Sequence, residues 1–327
     1  QGDWSSDVCS SDLAQLLERL AAHNRVASTS THHLEAFRRF ACAVVAHWLP
    51  SELLERATKM SALGTSIGKS KAGFDTGDNF RYLRLLWEVR PDDIGGGDKR
   101  WAICNKGGEY APYFEEPHLV VNWKALEREL GAVPGARVFN EEFCFRSGVV
   151  YPMRTTSDLS PRPLPSNCAF NKGAQFIDVS SSLAGAFIAL AYTRPFKTFV
   201  EATYGGGDVS VSGSAARNYT VGVLEAVPVP PMTDEVEGKL YGAFENAARQ
   251  VMAQRRSIEP SAYFDVASLS LRDSLDGLVR RSESETRRRV AQVGDAALQA
   301  DTITRDLYGF AEEDLRALWG PHPFAYT

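Results

Sequence analysis

FRYLRLLWEVR, residues Phe80–Arg90, alternates apolar and polar side chains. This period of two predicts a β-strand with one buried face. Four apolar residues would share that face: Leu83, Leu85, Trp87 and Val89. From Ile67 to about Pro231 the chain is also rich in aromatic and β-branched residues, and Gly and Pro interrupt it at short intervals. We therefore predict a β-rich region around this strand.

Five further segments in this region have the composition of strands. They are Trp101–Cys104, His118–Trp123, Val149–Thr155, Gln175–Val179 and Tyr219–Val227. Leu183–Tyr192 is nearly all apolar and is predicted to be a helix. Two long loops are expected at 92–100 and 156–167, and long loops in a compact domain tend to carry function.

Helical patterns flank the β-rich region. Leu34–Trp48 has apolar residues at helical spacing, and Ser51 is expected to cap a short second helix. After Pro231, an apolar stripe runs from Leu240 to Met252, and Asp301 is expected to cap a last helix. The predicted fold class is therefore α+β, with a mixed β-rich domain between helical segments.

The predicted domains follow these composition changes. Residues 14–68 are expected to be a helical end or linker, 69–231 the β-rich domain, and 232–327 a helical region. Residues 1–13, QGDWSSDVCSSDL, resemble one reading frame of a sequencing-library adapter. We expect this run to be an artefact, so that the true amino terminus, and with it an upstream domain, is missing. Without the run, 36 basic and 38 acidic residues remain, a near-neutral balance that neither requires nor excludes nucleic acid.

Composition excludes several classes of protein. The 327 residues are 44% hydrophobic and 24% charged, which are globular values rather than those of a disordered or fibrous chain. A membrane-spanning helix needs about 20 apolar residues, and the longest near-apolar run, Leu183–Tyr192, is too short for one. Neither a CxxC pair nor a zinc-ligand spacing occurs among the cysteines, which predicts inert thiols, no metal and a cytoplasmic location. The cysteines are Cys9, Cys42, Cys104, Cys144 and Cys168.

Glycine-rich segments are the first candidates for chemistry. The triplets Gly95–Gly97 and Gly205–Gly207 lack the signature of a phosphate-binding loop and are predicted to be turns. Lys106, Gly107 and Gly108 follow a predicted strand, and their backbone N–H groups beside a lysine would suit an anion. A plain glycine turn with a solvated lysine explains the same residues, and composition does not decide between the two.

Polar residues near the opening strand have two interpretations. Asp78 and Asn79 would either form a turn or contact a base edge or sugar. Arg81 and Arg84 lie beside aromatic residues, a composition shared by nucleic-acid contacts and solvated sheet faces. The arginine-rich run Arg280–Arg289 is typical of an exposed helix face. His32–His33 is expected at the surface and His118 in a structural position, and no nucleophile or paired-carboxylate motif occurs.

An ordered set of these segments resembles one family. The chain resembles the carboxy-terminal half of large adenine-specific DNA methyltransferases of the type found in BREX phage-defence and fused restriction-modification systems, across roughly residues 34–231. The matching segments are TGDNFRYLR at 76–84, WEV at 87–89, NKGGEY at 105–110, VVNW at 120–123, RVFNEEFCFRSGVVYPMRT at 137–155, LP at 164–165 and VPVP at 227–230. ITRDLYGFAEEDLRAL at 303–318 resembles the closing helix of the family.

The resemblance implies an enzyme that methylates adenine N6 with S-adenosylmethionine, bound by an upstream domain. That domain carries an Asn/Asp-Pro-Pro-Tyr/Phe motif, and the only Pro-Pro here lies in Val229-Pro230-Pro231-Met232. The cofactor loop of the family, an acidic residue and Phe followed by Gly-x-Gly, is absent as well. We therefore expect an inactive fragment that holds the target recognition domain. Its expected partners are double-stranded DNA and subunits of a restriction or defence system, and no membrane is expected.

The resemblance also supplies candidate DNA-binding residues, without assigning base contacts among them. They are Asp78, Asn79, Arg81, Arg84, Lys106, Gly107, Gly108, Asn122, Asn140 and Arg154. Residues that read the recognition site are expected in the variable loops, such as 92–100 and 157–167. Two rivals stay open: a non-catalytic DNA specificity subunit, and a carbohydrate-binding or structural module that uses Trp87, Trp101 and Trp123 as a platform.

Overall fold

A computed structural model describes residues 46, 48–108, 110–204, 217–259, 261, 263–265, 274–320 and 322. Some of the predicted features lie outside these residues. They are the adapter-like run 1–13, His32–His33, most of the helix predicted at 34–48, Cys9, Cys42 and the triplet Gly205–Gly207.

Ten α-helices occur in the described ranges, and two of them are long. In chain order they are α1 (Ser51–Ala57), α2 (Leu63–Ser66), α3 (Asn79–Tyr82), α4 (Trp123–Glu129), α5 (Ser181–Ala191), α6 (Arg194–Tyr204), α7 (Val221–Glu225), α8 (Asp234–Arg255), α9 (Leu275–Tyr308) and α10 (Glu312–Trp319). Short 3-10 turns occupy Leu86–Glu88, Pro91–Asp93 and Glu141–Phe143.

Thirteen strands, most of them short, lie between these helices in the same part of the chain. They are β1 (Ser61–Ala62), β2 (Ser70–Lys71), β3 (Leu83–Leu85), β4 (Ile94–Gly95), β5 (Trp101–Asn105), β6 (Leu119–Asn122), β7 (Gly148–Pro152), β8 (Arg154–Thr155), β9 (Arg162–Leu164), β10 (Cys168–Phe170), β11 (Ala174–Ile177), β12 (Arg217–Asn218) and β13 (Pro228–Val229). Two small antiparallel pairs, β1–β13 and β8–β12, stand apart from the two larger sheets.

The first large sheet has the order β10-β5-β6-β3, with β4 also paired to β5. Strand β5 runs parallel to β10, in a register that pairs Asn105 with Phe170, and antiparallel to β6. Parallel neighbours end at the same edge of a sheet, so the residues after β5 and after β10 emerge side by side. That edge carries the candidate site.

The second sheet has the order β2-β11-β7-β9, and every pair in it is antiparallel. Strand β7 is buried on both faces, because Val149 and Tyr151 pack with the helices whereas Val150 packs toward the first sheet. Successive side chains of a strand point to opposite faces. The second sheet is therefore the middle of three layers, between the first sheet and the helices.

The helical layer is built on α5, α6, α8 and α9. All residues of α5 from Ala184 to Ala191 are buried, and this helix packs against both α8 and α9. Phe199 of α6 stacks on Tyr308 of α9, with ring centroids 5.0 Å apart. Although α5 and α6 fall within the predicted domain at 69–231, they share one apolar core with helices of the 232–327 region.

The α+β fold class is confirmed, and the clearest local predictions hold. The helix predicted at Leu183–Tyr192 is α5, the strand at Trp101–Cys104 is β5, and the strand at Gln175–Val179 overlaps β11. The segment Val149–Thr155 is divided into β7 and β8, and the expected loop at 156–167 contains β9. Gly96 and Gly97 lie in a turn, as predicted.

The strand predicted at Phe80–Arg90 is wrong over most of its length. Only the three residues of β3 form a strand. The carboxylate of Asp78 accepts a hydrogen bond from the backbone N–H of Arg81 at 3.1 Å and begins helix α3, which takes up the first residues of the segment. After β3 the chain turns again, and Trp87 is 67% exposed. A helix cap outweighs the alternation of apolar residues here.

The strand predicted at Tyr219–Val227 is also wrong, since α7 occupies most of it. Leu224 and Val227 lie three residues apart and are both fully buried in the helical core. Gly222, which lies between the N-cap Thr220 and Leu224, is exposed. That spacing fits one face of a helix. Tertiary burial therefore overrides the strand preference of the valines.

Two predicted helix caps lie elsewhere. Pro50 is the N-cap of α1 and Ser51 its first helical residue. Asp301 does not begin a helix, because it lies buried within α9. Its carboxylate instead accepts a hydrogen bond at 2.8 Å from the backbone N–H of Arg194, the first residue of α6. The capping chemistry was predicted, but it serves a helix distant in sequence.

Candidate nucleic-acid interface

Asp78 and Asn79, two of the candidate residues, hold the backbone that precedes β3. Asp78 caps α3, as described above, and the side-chain oxygen of Asn79 accepts a hydrogen bond from the hydroxyl of Thr76 at 2.8 Å. Each therefore uses a side-chain oxygen within its own turn. The turn interpretation describes their geometry.

Asn122 and Asn140 have similar structural contacts. The side chain of Asn122 caps α4 by accepting from the backbone N–H of Ala125 at 3.2 Å. Asn140 has a φ of 49°, in the left-handed region, and its side-chain amide donates to the carbonyl oxygen of Ala72 at 2.9 Å. These two residues position the segments on which they lie.

Arg81 is held in an ion pair. Its guanidinium lies 2.6 Å from a carboxylate oxygen of Glu129, and the hydroxyl of Tyr82 donates to the same oxygen at 2.9 Å. Hydrogen bonds from Arg128, Tyr82 and Arg81, in that order of effect, lower the pKa of Glu129 to about 2. At neutral pH Arg81 is therefore paired with an ionised carboxylate, which it shares with Arg128.

Arg84 donates to backbone carbonyl oxygens close to it in sequence. One terminal nitrogen lies 2.7 Å from the oxygen of Phe80 and 2.6 Å from that of Leu83. The side chain therefore folds back over the start of β3.

Lys106 lies in a tight turn at the end of β5. The side-chain oxygen of Asn105 accepts a hydrogen bond from the N–H of Gly107 at 3.0 Å, and Gly107 has a φ of +93°. Lys106 is exposed, and its side chain contacts no hydrogen-bond or ion-pair partner among the described residues. The turn thus presents one ammonium group without a countercharge in that part of the chain.

The anion site expected at Gly107 and Gly108 is largely occupied by the protein itself. A carboxylate oxygen of Glu115 lies so close to Gly108 that an added Cβ would be 2.7 Å from it. Glu115 also pairs with the fully buried Arg162 at 2.6 Å, and Arg162 donates to the carbonyl oxygen of Gly107. An internal carboxylate therefore fills the place predicted for an external anion, while Lys106 remains exposed beside it.

Lys172, which was not predicted, lies in a second turn of the same kind at the end of β10. The side-chain oxygen of Asn171 accepts from the N–H of Gly173 at 3.0 Å. Lys172 is 55% exposed and forms an ion pair with Asp75. The sequence signal was the repeated tripeptide Asn-Lys-Gly, at 105–107 and at 171–173. We call these two segments the lysine turns.

Arg154, the third cation of this edge, follows β7. The backbone N–H of the preceding residue, Met153, donates to the carbonyl oxygen of Gly173 at 2.9 Å, which joins this segment to the second lysine turn. Arg154 is exposed, and its guanidinium has no hydrogen-bond or ion-pair partner within the described ranges. We call Lys106, Lys172 and Arg154 the strand-end cations.

The three backbone segments that carry the strand-end cations converge on Gly173. Lysine and arginine with few neighbouring carboxylates suit phosphate oxygens, and contacts of this kind position a protein on nucleic acid without reading its sequence. The arrangement is chemically able to bind a polyanion.

A cleft of about 840 Å³ is lined by Gly108 and Glu115, with Arg255 on its wall. Trp87 and Tyr110 line it, together with Glu116 and the exposed His118, which precedes β6 rather than lying within it. Its carboxylates oppose the approach of phosphate. Of the three tryptophans proposed as a sugar platform, Trp101 and Trp123 are buried, so the three do not form one exposed surface.

The described residues offer neither a metal site nor a glycine cradle for S-adenosylmethionine. No group of three His, Cys, Asp or Glu side chains in those ranges is close enough to hold a metal ion. An added Cβ at Gly97 would lie 2.8 Å from the ring of Phe145, and one at Gly95 would lie 2.5 Å from Lys99. These glycines face the protein's own side chains and do not fit the cofactor.

The three described cysteines, Cys104, Cys144 and Cys168, are buried free thiols. Burial raises the pKa of Cys144 and of Cys168 to about 12, so both stay protonated at neutral pH. Among the helices of the described residues, none combines the length and the apolar character that crossing a bilayer requires.

Comparison with known proteins identifies relatives by sequence. No protein-family profile matches the chain. It is 26% identical over 145 residues to the adenine-specific methyltransferase BrxX of Escherichia coli O9:H4 (strain HS), which covers 43% of this chain and 12% of that protein. It is 24% identical over 150 residues to the adenine-specific methyltransferase PglX of Lacticaseibacillus casei (strain Zhang). This match covers 41% of this chain and 12% of that protein.

A solved structure of the type IIL restriction-modification enzyme MmeI in complex with DNA matches 77% of this chain and 34% of that one, with a TM-score of 0.45 and 9% identity. The sequence matches span only 12% of the curated relatives. Within that span, the chain is similar in sequence to adenine-specific methyltransferases.

Proposed function

We propose that this chain is the target-recognition part of a site-specific adenine-N6 DNA methyltransferase of a bacterial restriction or phage-defence system. In this proposal it binds double-stranded DNA and holds the duplex for a catalytic domain. The observation that carries the proposal is the group of strand-end cations, in which Lys106 and Arg154 have no countercharge among the described residues. The sequence similarity to adenine-specific methyltransferases supports it.

The chemistry of base methylation explains why such a part is needed. A base inside a duplex has to be turned out of the stack before its amino group is accessible, at a cost of a few kcal/mol. Contacts to phosphates on either side fix the register of the duplex while this happens. Lys106 and Arg154 serve that role in the proposal, whereas the asparagines and Asp78 hold local backbone and Arg81 pairs with Glu129.

The methyl donor would be S-adenosylmethionine, bound outside the residues described here. The sequence contains no cofactor-loop pattern of such enzymes, its single Pro-Pro dipeptide does not fit their catalytic motif, and Gly95 and Gly97 face the protein's own side chains. We therefore expect no methyl transfer by this chain alone.

DNA binding by the 327-residue chain tests the proposal directly. The affinity for a labelled duplex oligonucleotide is measured by fluorescence anisotropy over a salt series from about 50 to 200 mM. Phosphate contacts predict a steep linear fall of log K with log salt concentration. Absence of duplex binding at the lowest salt would refute the proposal, and binding to neutral polysaccharide without salt dependence would favour the sugar-binding rival.

A second measurement separates the enzyme from a specificity subunit. The gene sequence upstream of this segment is read for the Asn/Asp-Pro-Pro-Tyr/Phe motif. We expect the motif in the same reading frame, and tritium transfer from labelled S-adenosylmethionine to DNA by the protein that carries both parts. A motif found only in a separate neighbouring gene would make this chain a specificity subunit.

A further inference from the structure

The two lysine turns repeat one local structure on neighbouring strands. Residues 105–107 and 171–173 share the sequence Asn-Lys-Gly, and each follows one of two parallel paired strands, β5 and β10. In each turn the asparagine oxygen accepts from the glycine N–H at the same distance, 3.0 Å. Neighbouring strands lie about 4.8 Å apart, so the two turns emerge side by side.

The turns also interlock through their backbones. The N–H of Asn171 donates to the carbonyl oxygen of Asn105 at 2.8 Å. An added Cβ at Gly107 would lie 2.5 Å from the carbonyl oxygen of Gly173, and one at Gly173 would lie 2.7 Å from that of Lys106. Only residues without a side chain permit this approach, so the glycines set the spacing between the two lysines.

The two lysines differ in their surroundings. The side chain of Lys106 has no partner in the described part of the chain, whereas Lys172 pairs with Asp75 and is still 55% exposed. An ammonium group has three donors, so Lys172 retains donors for a ligand while Asp75 restrains its position. One free and one restrained ammonium group therefore lie on adjacent turns.

We propose that the lysine turns together bind one phosphodiester group of double-stranded DNA, with Lys106 and Lys172 both donating to its oxygens. This inference rests on the proposed function and adds Lys172 to the contact surface. A phosphate suits the pair because two point charges on flexible stems recognise charge rather than a base edge.

The salt dependence of duplex binding by the full chain tests the inference. Four variants are compared with the wild type: Lys106→Ala, Lys172→Ala, the double alanine variant, and a double arginine variant that keeps both charges. Losing one phosphate contact lowers the slope of log K against log salt concentration by about 1. Because the lysines share one phosphate, we expect the double alanine variant to lose about 1 in slope as well, and the double arginine variant to keep the wild-type slope.

Lys239→Ala is the matched control. Lys239 is exposed and pairs with Glu235 at 2.6 Å on α8, as Lys172 pairs with Asp75, but it lies outside the lysine turns. Its replacement should leave the slope unchanged. If the double alanine variant does not fold, judged by circular dichroism, the double glutamine variant replaces it.

Each outcome has one meaning. If the wild type binds with a steep slope and the double alanine variant has the same slope, this inference is wrong and the proposed function is unaffected. A wild type that does not bind the duplex overturns the proposed function itself. If the double alanine variant loses about 2 in slope, as the sum of two single losses, each lysine contacts its own phosphate. The shared contact is then wrong.

Discussion

Two regions of this chain are rich in positive charge, and they differ in what surrounds the charge. The amino-terminal half of α9 carries five arginines between Arg280 and Arg289, most of them exposed. Carboxylates on the same helix pair with four of them, as in Arg287–Glu283 at 3.2 Å. At the strand ends, by contrast, Lys106 and Arg154 have no partner in the described ranges.

The difference shows that the number of cations does not identify a nucleic-acid surface. An arginine with a carboxylate three or four residues away is largely neutralised by its own helix, and such pairs contribute little to stability. A lysine without such a neighbour leaves a positive potential for a ligand. Whether carboxylates pair with the cations is therefore a better guide to a nucleic-acid surface than the number of cations.

The largest predicted effect concerns a buried cation that serves structure only. Arg194 is 8% exposed and pairs with Asp301, 2% exposed, at 2.7 Å, with Glu312 at 3.1 Å. Asp301→Asn should destabilise the fold by about 3–5 kcal/mol, because it leaves a buried guanidinium without its main partner. Urea unfolding measures the loss.

Asp306→Asn provides the control for this prediction. Asp306 pairs with Arg305 on the same helix but is 69% exposed, so its replacement should change the free energy of unfolding little. Equal losses in the two variants would show that burial does not distinguish structural cations from free ones.

The second largest predicted effect on stability concerns the close spacing of the two lysine turns. Gly107 has a positive φ and faces the carbonyl oxygen of Gly173. Gly107→Ala should destabilise the fold by about 1–3 kcal/mol, since the new methyl group crowds a backbone atom and alanine disfavours this conformation. Thermal unfolding measures the change.

Gly222→Ala is the contrasting variant, because nothing lies within 4 Å of its added Cβ and it is part of α7. Alanine favours a helix over glycine by about 1 kcal/mol, so this variant should be slightly more stable. A loss of stability in Gly222→Ala, or none in Gly107→Ala, would contradict the close approach of the two turns.

A direct test of the comparison reverses one charge in each region. Arg154→Glu should lower the slope of log K for duplex binding against log salt concentration by at least about 1. Arg287→Glu, on α9, should leave that slope unchanged. If the two variants lose affinity equally, the pairing of arginines along α9 does not keep them from DNA.

Local sequence patterns predicted the elements whose burial depends on their own residues. The apolar run of α5 and the strand β5 follow directly from composition. Predictions failed where one side chain or a distant contact decides the structure. Asp78 converts an alternating segment into a helix, and the burial of Leu224 makes a valine-rich segment helical.

The candidate site was predictable only in part for the same reason. The paired glycines drew attention to Lys106, but Glu115, which fills the expected anion site, approaches through a loop. Lys172 was not predicted because it lies near Lys106 only through the parallel pairing of β5 and β10, which are far apart in sequence. A three-residue repeat is too short to be noticed without that pairing.

The smallest predicted effect concerns Arg81, a candidate that the structure pairs with Glu129. Hydrogen bonds from Arg128, Tyr82 and Arg81, in that order of effect, hold the pKa of Glu129 at about 2, below the ordinary value of 4.5. A carboxyl group with a lowered pKa in the folded state stabilises the fold above its unfolded pKa, and this contribution disappears as the pH falls through the folded value. The stability difference between the wild type and Glu129→Gln should therefore be constant above pH 4.5 and vanish near pH 2.

Unfolding by urea across this pH range measures that difference. A difference that is the same at pH 2 as at neutral pH would mean that the ionised carboxylate of Glu129 does not supply it. The Arg81–Glu129 pair also predicts how Arg81 affects the binding of DNA. At neutral pH, Arg81→Ala should leave the salt dependence of duplex binding unchanged, because the guanidinium of Arg81 is already held in its ion pair with Glu129. A fall in slope of about 1 would place Arg81 among the phosphate contacts, and a countercharge alone would then not separate structural cations from binding ones.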